Sequence, residues 1–239
     1  MKGDANLHFI CFLREHMVMY SPGKTSSYPD EPVDKGLRYH FLGGGSEVGN
    51  VGIVLEGVKG DRLLIDYGLA PTDPPRYPAE APKVSDVIVT HSHIDHIGMI
   101  PWISGSHHST LHATHVTVAL SELMWRDCHK VSRIEGYPLP WDKRDIDFAL
   151  ESWKVHNFGE WVEHGNWKWR LHPAGHIPGA AMVEIDTGDK KVLLSGDFDT
   201  RDSLLVSGAL PVDVDILFVE GTYGGRSHPE KESEVKRLI

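Results

Sequence analysis

The alternation of apolar and polar residues predicts short β-strands along most of the chain. Residues 37–42 alternate with the two-residue period of a strand that buries one face. Gly43-Gly44-Gly45 then predicts a turn. Apolar stretches bounded by turn residues predict seven further strands, at residues 51–55, 62–66, 84–90, 167–171, 181–185, 192–195 and 216–220.

Two segments show helical rather than strand spacing. In the longer one, apolar residues recur every three or four positions, at Val116, Leu120, Leu123, Met124, Cys128 and Val131. Thr114 is expected to cap this helix, and Glu122 with Arg126 forms an i,i+4 pair. A shorter helix is expected from Asp145, with its apolar positions at Ile146, Leu150 and Trp153. Strands mixed with a few helices favour sheets covered by helices.

Residues 1–36 differ from the rest of the chain in composition. The stretch from Ser21 to Asp34 is rich in Pro, Ser, Gly and charged residues, which is typical of a tether. We therefore expect residues 1–36 to form a flexible N-terminal extension and the folded domain to begin near Leu37.

Composition limits the class of protein. A length of 239 residues with 40% hydrophobic and 24% charged residues fits a soluble globular protein with one sizeable core. No apolar run has transmembrane length, and no secretory signal is predicted, so no membrane partner is expected. Cys11 and Cys128 lack CxxC spacing, which favours reduced thiols in a cytoplasmic protein. The net charge of −10 argues mildly against nucleic-acid binding, although bound cations and a local groove can reverse the field.

One six-residue segment carries four potential metal ligands: His91, His93, Asp95 and His96. It directly follows the strand predicted at residues 84–90. An H-x-H pair at a strand end directs both imidazoles to the same side, because side chains alternate along a strand. Imidazole nitrogens and carboxylate oxygens are ligands that zinc prefers. The apolar strand before the cluster argues against a loop that is His-rich by chance.

The segment 90–101 resembles the signature motif of the metallo-β-lactamase superfamily. Other parts of that family's pattern follow in sequence order at Asp66, His176 and Asp197, and the resemblance spans about residues 37–229. It implies an α/β (α+β) fold, the metallo-β-lactamase αββα sandwich, of which this chain carries the N-terminal part. The resemblance also implies a site for two zinc ions. Its ligands would be His91, His93 and His176 for the first metal, Asp95 and His96 for the second, and a bridging Asp197.

A closer resemblance is to the β-CASP branch, which includes RNase J-like nucleases and the endonuclease of pre-mRNA 3′ cleavage. It rests on residues 43–49, 174–181 and 219–224. Glu220 matches the first β-CASP motif, although Gly221 stands where Ser is more usual. The resemblance implies attack of a metal-bound hydroxide on an RNA phosphodiester, with catalytic roles for Asp95, Asp66 and Glu220. Implied partners are RNA, a second copy of the chain, or other RNA-processing subunits.

The β-CASP segment of the family would begin just after Tyr223, and the family's last metal-binding histidine would follow it. We therefore interpret residues 230–239 as the start of a truncated β-CASP segment. With one ligand lacking, we expect at most one tightly held zinc in the chain. His107, His108, His112 and His129 match no motif. Two alternatives stay open: a hydrolase of small esters or thioesters with the same fold, and an inactive partner subunit.

Overall fold

The protein, described here by a computed structural model, forms two seven-stranded sheets and four helices within residues 9–13, 16–18, 31–34, 36–222 and 236–237. The strands are β1 (Phe9–Leu13), β2 (His16–Val18), β3 (Glu31–Asp34), β4 (Leu37–Gly43), β5 (Gly52–Gly57), β6 (Arg62–Ile65), β7 (Asp86–Ile88), β8 (Thr110–Ala113), β9 (Trp153–Val155), β10 (Val162–His164), β11 (Trp167–Pro173), β12 (Ala181–Asp186), β13 (Lys191–Leu194) and β14 (Ile216–Glu220). The helices are α1 (Ile94–Ile97), α2 (Ile100–His107), α3 (His115–Glu135) and α4 (Lys143–Glu151).

Each sheet mixes antiparallel and parallel strands. The first sheet has the order β3-β4-β5-β6-β7-β8-β9, antiparallel up to β6 and parallel from β6 to β9. The second has the order β10-β11-β12-β13-β14-β1-β2, in which only β13 and β14 run parallel. Apolar side chains of both sheets, among them Leu55, Ile65, Trp169 and Phe218, share one core cluster, so the sheets pack face to face.

The helices cover the outer face of the first sheet. Strand β6 shows why: Leu63 and Ile65 face the second sheet, whereas Leu64, between them, faces the other way. Leu64 shares a second core cluster with residues of all four helices, including Ile97 and Trp125. This layering confirms the predicted α/β class of fold. No helix in the described ranges is long and apolar enough to cross a lipid bilayer.

The eight predicted strands all coincide with observed ones, within a few residues at their ends. The long helix and its Thr114 cap are also confirmed, because the Thr114 side chain accepts a hydrogen bond from Thr117 N. The shorter helix begins at Lys143, not at Asp145, because Asp142 is its N-cap and Asp145 closes a capping box. Trp153 belongs to β9 and not to that helix.

Three strands lie within residues 1–36, the predicted N-terminal extension, and one of them, β3, lies in the stretch whose composition is typical of a tether. Strand β1 pairs antiparallel with β14, and β3 pairs antiparallel with β4. Composition does not reveal such pairing, since the partner of β1 lies some 200 positions further along the chain. The segment proposed to begin at residue 230 falls outside the described residues apart from 236–237, so both domain boundaries stay predictions.

Candidate metal centre

Three imidazoles and one carboxylate converge at one end of the sandwich: His91, His93, His176 and Asp197. One ligand atom from each lies within 4.8 Å of all the others. His93 Nδ1 is 3.1 Å from His91 Nε2 and 3.2 Å from His176 Nε2. Asp197 Oδ2 is 3.6 Å from His176 Nε2 and 3.8 Å from His91 Nε2. Ligands at zinc–nitrogen and zinc–oxygen bond lengths in a tetrahedron lie about 3.4 Å apart, so this spacing fits a zinc ion.

These side chains come from the loops that follow three strands. The chain leaves β7, passes through His91 and enters α1 directly after His93. His176 lies in the loop after β11, and Asp197 in the loop after β13. Both loops turn at a glycine with positive φ immediately before the functional residue: Gly175 at 72° and Gly196 at 52°. The loops thereby carry two distant parts of the sequence to the same place.

His96 extends the cluster on its other side. Its Nε2 is 3.3 Å from Asp197 Oδ1. Among the residues that the structure describes, both atoms are buried without a well-aligned hydrogen bond. Leaving such atoms unsatisfied costs about 1–3 kcal/mol each. An imidazole nitrogen and a carboxylate oxygen in this arrangement fit a second cation, with Asp197 between the two positions.

Asp66 fixes the orientation of the His96 ring. Its backbone is left-handed, with φ of 57°, directly after β6, and the residue is 1% exposed. The carboxylate accepts hydrogen bonds of 2.7 Å from Thr90 N, from Thr90 Oγ1 and from His96 Nδ1. A carboxylate on one ring nitrogen leaves the other available to a metal and makes it more basic. Thr90 was not singled out in the sequence, although its position directly before His91 was a usable signal.

Protonation in the cluster favours metal binding. Burial and the charge of His96 lower the pKa of His91, and burial and His176 lower the pKa of His93. Burial also lowers the pKa of His96, but Asp66 and Asp197 outweigh it and raise that pKa well above the usual value. Burial raises the pKa of Asp197, and His96 and His91 outweigh it and hold that pKa far below its usual range. A cation would therefore meet an ionised carboxylate and neutral imidazoles at His91 and His93, and would displace a proton at His96.

Two predicted catalytic residues lie at the edge of the cluster. Asp95, on α1, is not one of the four converging groups, although its charge raises the pKa of His93 against the larger effect of burial. Its carbonyl accepts a hydrogen bond from Val51 N at 2.8 Å. Glu220 Oε1 accepts a hydrogen bond from Phe198 N at 3.2 Å. Glu220 therefore contacts the loop that carries Asp197, the residue before Phe198.

The histidines that match no motif lie elsewhere. His112 Nδ1 is 2.9 Å from His156 Nε2, and His112 Nε2 is 2.8 Å from Asp86 Oδ1. Both rings pack against Trp169, between the sheets. Within the described part of the chain, no histidine outside the predicted set belongs to the four-residue group.

Comparison with known proteins agrees with this geometry. The family model described as the Metallo-beta-lactamase superfamily matches residues 44–215. Cleavage and polyadenylation specificity factor 73 of Drosophila melanogaster is 32% identical over 220 residues, which are 88% of this chain and 32% of that protein. RNase aCSPSF2 of Saccharolobus solfataricus is 31% identical over 230 residues, or 93% of this chain and 45% of the relative. Ribonuclease TTHA0252 of Thermus thermophilus is 31% identical over 212 residues, or 85% and 48%.

The chain therefore spans less than half the length of each of these relatives. Their names agree with the resemblance of the sequence to β-CASP nucleases. The family match covers well over half of the chain and includes every residue of the histidine and aspartate cluster. On this ground, together with the sandwich fold, the chain belongs to the metallo-β-lactamase superfamily.

Proposed function

We propose that this chain carries the metal centre of a zinc-dependent ribonuclease of the β-CASP type, which hydrolyses phosphodiester bonds during RNA processing or decay. The convergence of three imidazoles and Asp197 at tetrahedral spacing, with His96 beside them, is the observation that carries the proposal. The names of the relatives, a cleavage factor and two ribonucleases, support RNA as the substrate.

The residues divide between two zinc ions. His91, His93 and His176 would hold the first, His96 and Asp95 the second, and Asp197 would bridge them. Zinc suits a set of nitrogen and carboxylate ligands without thiolates. When bound, the ions would lower the pKa of water to about 7 and stabilise the charge that develops on the phosphoryl oxygens.

Other side chains would act through position and proton transfer. Asp66 holds the Nδ1 proton of His96 and keeps the ring aimed at Asp197. Asp95 would also orient the attacking nucleophile. Glu220 holds the loop of Asp197 through Phe198 N and would assist protonation of the leaving oxygen.

We also propose the organisation around this centre. Residues 37–229 would form the metallo-β-lactamase domain, and residues 230–239 would begin a β-CASP segment. The protein would act in the cytoplasm, as a homodimer or with other RNA-processing subunits.

The test compares Asp197→Ala with Asp189→Ala, an exposed aspartate in a surface turn. Bound zinc and the release of fragments from end-labelled RNA would be measured for both variants. We expect Asp197→Ala to lose zinc and cleavage and Asp189→Ala to keep both. Full zinc content and full rate in Asp197→Ala would refute the assignment. Zinc binding with hydrolysis of thioesters but not of RNA would favour the small-ester alternative, and zinc binding without any hydrolysis would favour an inactive partner subunit.

A further inference from the structure

We infer that a basic groove on the helical face of the protein binds the phosphate backbone of RNA outside the metal centre. The inference rests on the proposed function. The groove lies between the C-terminal half of α3 and the start of α4, and its polar lining consists of Arg126, His129, Lys130, Arg133 and Lys143.

The basic residues form one continuous surface. The four on α3 follow the spacing i, i+3, i+4, i+7, which confines them to an arc of roughly 100° on one side of the helix. Lys143 is the first residue of α4, and Arg144 extends the surface into an adjoining hollow. The cavity between the helices measures about 530 Å³, and among the described residues its apolar lining consists of Ile134 and Ile146.

Most of these charges have no anionic partner among the residues that the structure describes. Arg126 pairs with Glu122 at 2.8 Å and more distantly with Asp147 at 3.9 Å. In the portion of the chain that the structure describes, the exposed Lys130, Arg133 and Lys143 form no ion pair.

Two acids at the start of α4, beside Lys143, are bound to backbone. Asp142 Oδ1 accepts hydrogen bonds from Arg144 N at 2.7 Å and from Asp145 N at 3.4 Å. Asp145 Oδ2 accepts one from Asp142 N at 2.9 Å. These carboxylates stabilise the start of α4, and Lys130, Arg133 and Lys143 remain exposed to solvent. A cluster of unpaired cations on a protein with net charge −10 indicates a polyanionic ligand.

Two buried tryptophan side chains, Trp141 and Trp125, connect the helices of the groove with α1. The His129 ring lies 6.3 Å from the ring of Trp141. Trp141 Nε1 donates a 2.7 Å hydrogen bond to Gly98 O, and Trp125 Nε1 of α3 donates a 2.9 Å bond to Ile97 O. Both acceptors lie at the end of α1, the helix that carries Asp95 and His96. The same layer of helices thus carries the groove and part of the metal centre.

The lining favours RNA over an acidic protein segment. Peptides that dock in grooves between helices bury a row of apolar anchors, and two isoleucines offer little for such a row. Phosphates, in contrast, are bound by exposed Lys and Arg side chains without apolar contacts.

The experiment compares two triple variants of the 239-residue chain. Lys130→Gln/Arg133→Gln/Lys143→Gln removes three positive charges from the groove. The control Lys59→Gln/Lys154→Gln/Lys191→Gln removes three from exposed positions elsewhere. Binding of a fluorescent, unstructured 20-nucleotide RNA is followed by anisotropy at several salt concentrations, with RNA integrity checked on a gel. Circular dichroism establishes that both variants are folded.

Counterion release predicts the size of the effect. Each lost phosphate contact makes the slope of log K against log salt concentration less negative by about 0.7. The groove variant lacks three charges, so its slope should be less negative than that of wild type by about 2. Near 0.1 M salt its affinity should fall by about tenfold to a hundredfold. The control variant should stay close to wild type, and cleavage of a small chromogenic phosphodiester should be the same for all three proteins.

Three results would overturn the inference. Equal losses in both triple variants would mean that only net charge matters. Unchanged affinity and slope in the groove variant of a chain that binds and cleaves RNA would refute the groove and leave the proposed function standing. Competition by polyglutamate as effective as by RNA would assign the groove to acidic proteins. A wild-type chain that neither binds nor cleaves RNA would instead refute the proposed function itself.

Discussion

Gly68 is the position at which a single methyl group should test the link between the first sheet and the metal centre. A Cβ added there would lie 1.6 Å from the carbonyl oxygen of Asp95, 2.0 Å from its carbonyl carbon and 2.6 Å from His96 N. These are backbone atoms, so no change of side-chain rotamer relieves the clash. Ordinary contacts between such atoms are about 3.5 Å, so Gly68→Ala requires α1 to move by about 2 Å.

The loss of stability can be estimated from the contacts that this movement of α1 disturbs. Three backbone hydrogen bonds hold α1 against the ends of the strands: Val51 N to Asp95 O at 2.8 Å, Tyr67 N to His96 O at 2.8 Å, and Leu69 N to Ile94 O at 3.1 Å. Each contributes about 0.5–1.5 kcal/mol, and forced overpacking adds about 1–3 kcal/mol. We therefore expect the free energy of unfolding to fall by about 2–5 kcal/mol, because some of these bonds would survive relaxation.

The same movement should weaken zinc binding. Metal sites require ligand distances within about 0.2 Å of ideal, and a shift of about 2 Å at His96 exceeds that tolerance. Urea denaturation of the metal-free chain and zinc competition with a chelator would measure the two effects separately. Gly36→Ala is the control, because a Cβ at Gly36 meets nothing within 4 Å. Wild-type stability together with wild-type zinc affinity in Gly68→Ala would refute the close approach and the reasoning built on it.

Two further substitutions test the carboxylates around the fold. Asp66→Asn removes the charge that orients His96, so zinc affinity should fall about 10- to 100-fold in a chelator competition. The control Asp61→Asn changes a half-buried aspartate that is bonded to Asn166, and it should leave zinc affinity unchanged. Asp86→Asn breaks contacts with two histidines, one of them His164 at 3.3 Å, and should cost about 1–3 kcal/mol in chemical denaturation. Burial raises the pKa of Asp86, but hydrogen bonds from the histidines hold it well below its usual range. The ionised Asp86 therefore stabilises the fold above the pKa that it has in the unfolded chain, and this stabilisation is lost as pH falls. A hydrogen bond to Asp86 raises the pKa of His164, whose stabilisation is lost as pH rises. The difference in free energy of unfolding between wild type and Asp86→Asn should therefore be largest between about pH 4 and 6.5. A difference that grows above about pH 8 would contradict the pairing of Asp86 with the histidines.

Strands in which apolar and polar residues alternate were predictable from the sequence, and short strands without this alternation were not. In β11 the side chains of Trp167, Trp169 and Leu171 are buried and the residues between them are more exposed, as the alternation predicted. Strand β8 reads Thr-Leu-His-Ala and has no such alternation. It is held by parallel pairing with β7 and β9, a long-range contact that a local pattern does not record.

The long helix shows a different limit of sequence patterns. The period of its apolar residues located α3, yet Leu123 in that stripe is 63% exposed. The buried face instead carries Trp125 with small polar residues, including Thr117 and Ser121. These hydroxyls are satisfied locally, since Ser121 Oγ donates to Thr117 O at 2.7 Å and Thr117 Oγ1 donates to Gly179 O at 3.0 Å. A satisfied hydroxyl is inexpensive to bury, so polarity alone gave no indication of which face would pack.

The metal cluster required two kinds of information. The candidate ligands at 91–96 were evident from local spacing, because four of them follow one strand. His176 and Asp197 lie 85 and 106 positions after His91, and only the family pattern connected them. The structure supplies the physical link at Thr90. Its carbonyl accepts a 2.9 Å hydrogen bond from Ala181 N, at the start of β12, and its hydroxyl donates to Asp66. A Cβ on Gly196 would lie 2.9 Å from the Thr90 Cβ. Three distant segments thus meet at one small residue directly before His91, so the geometry of the whole cluster depends on packing that no single segment encodes.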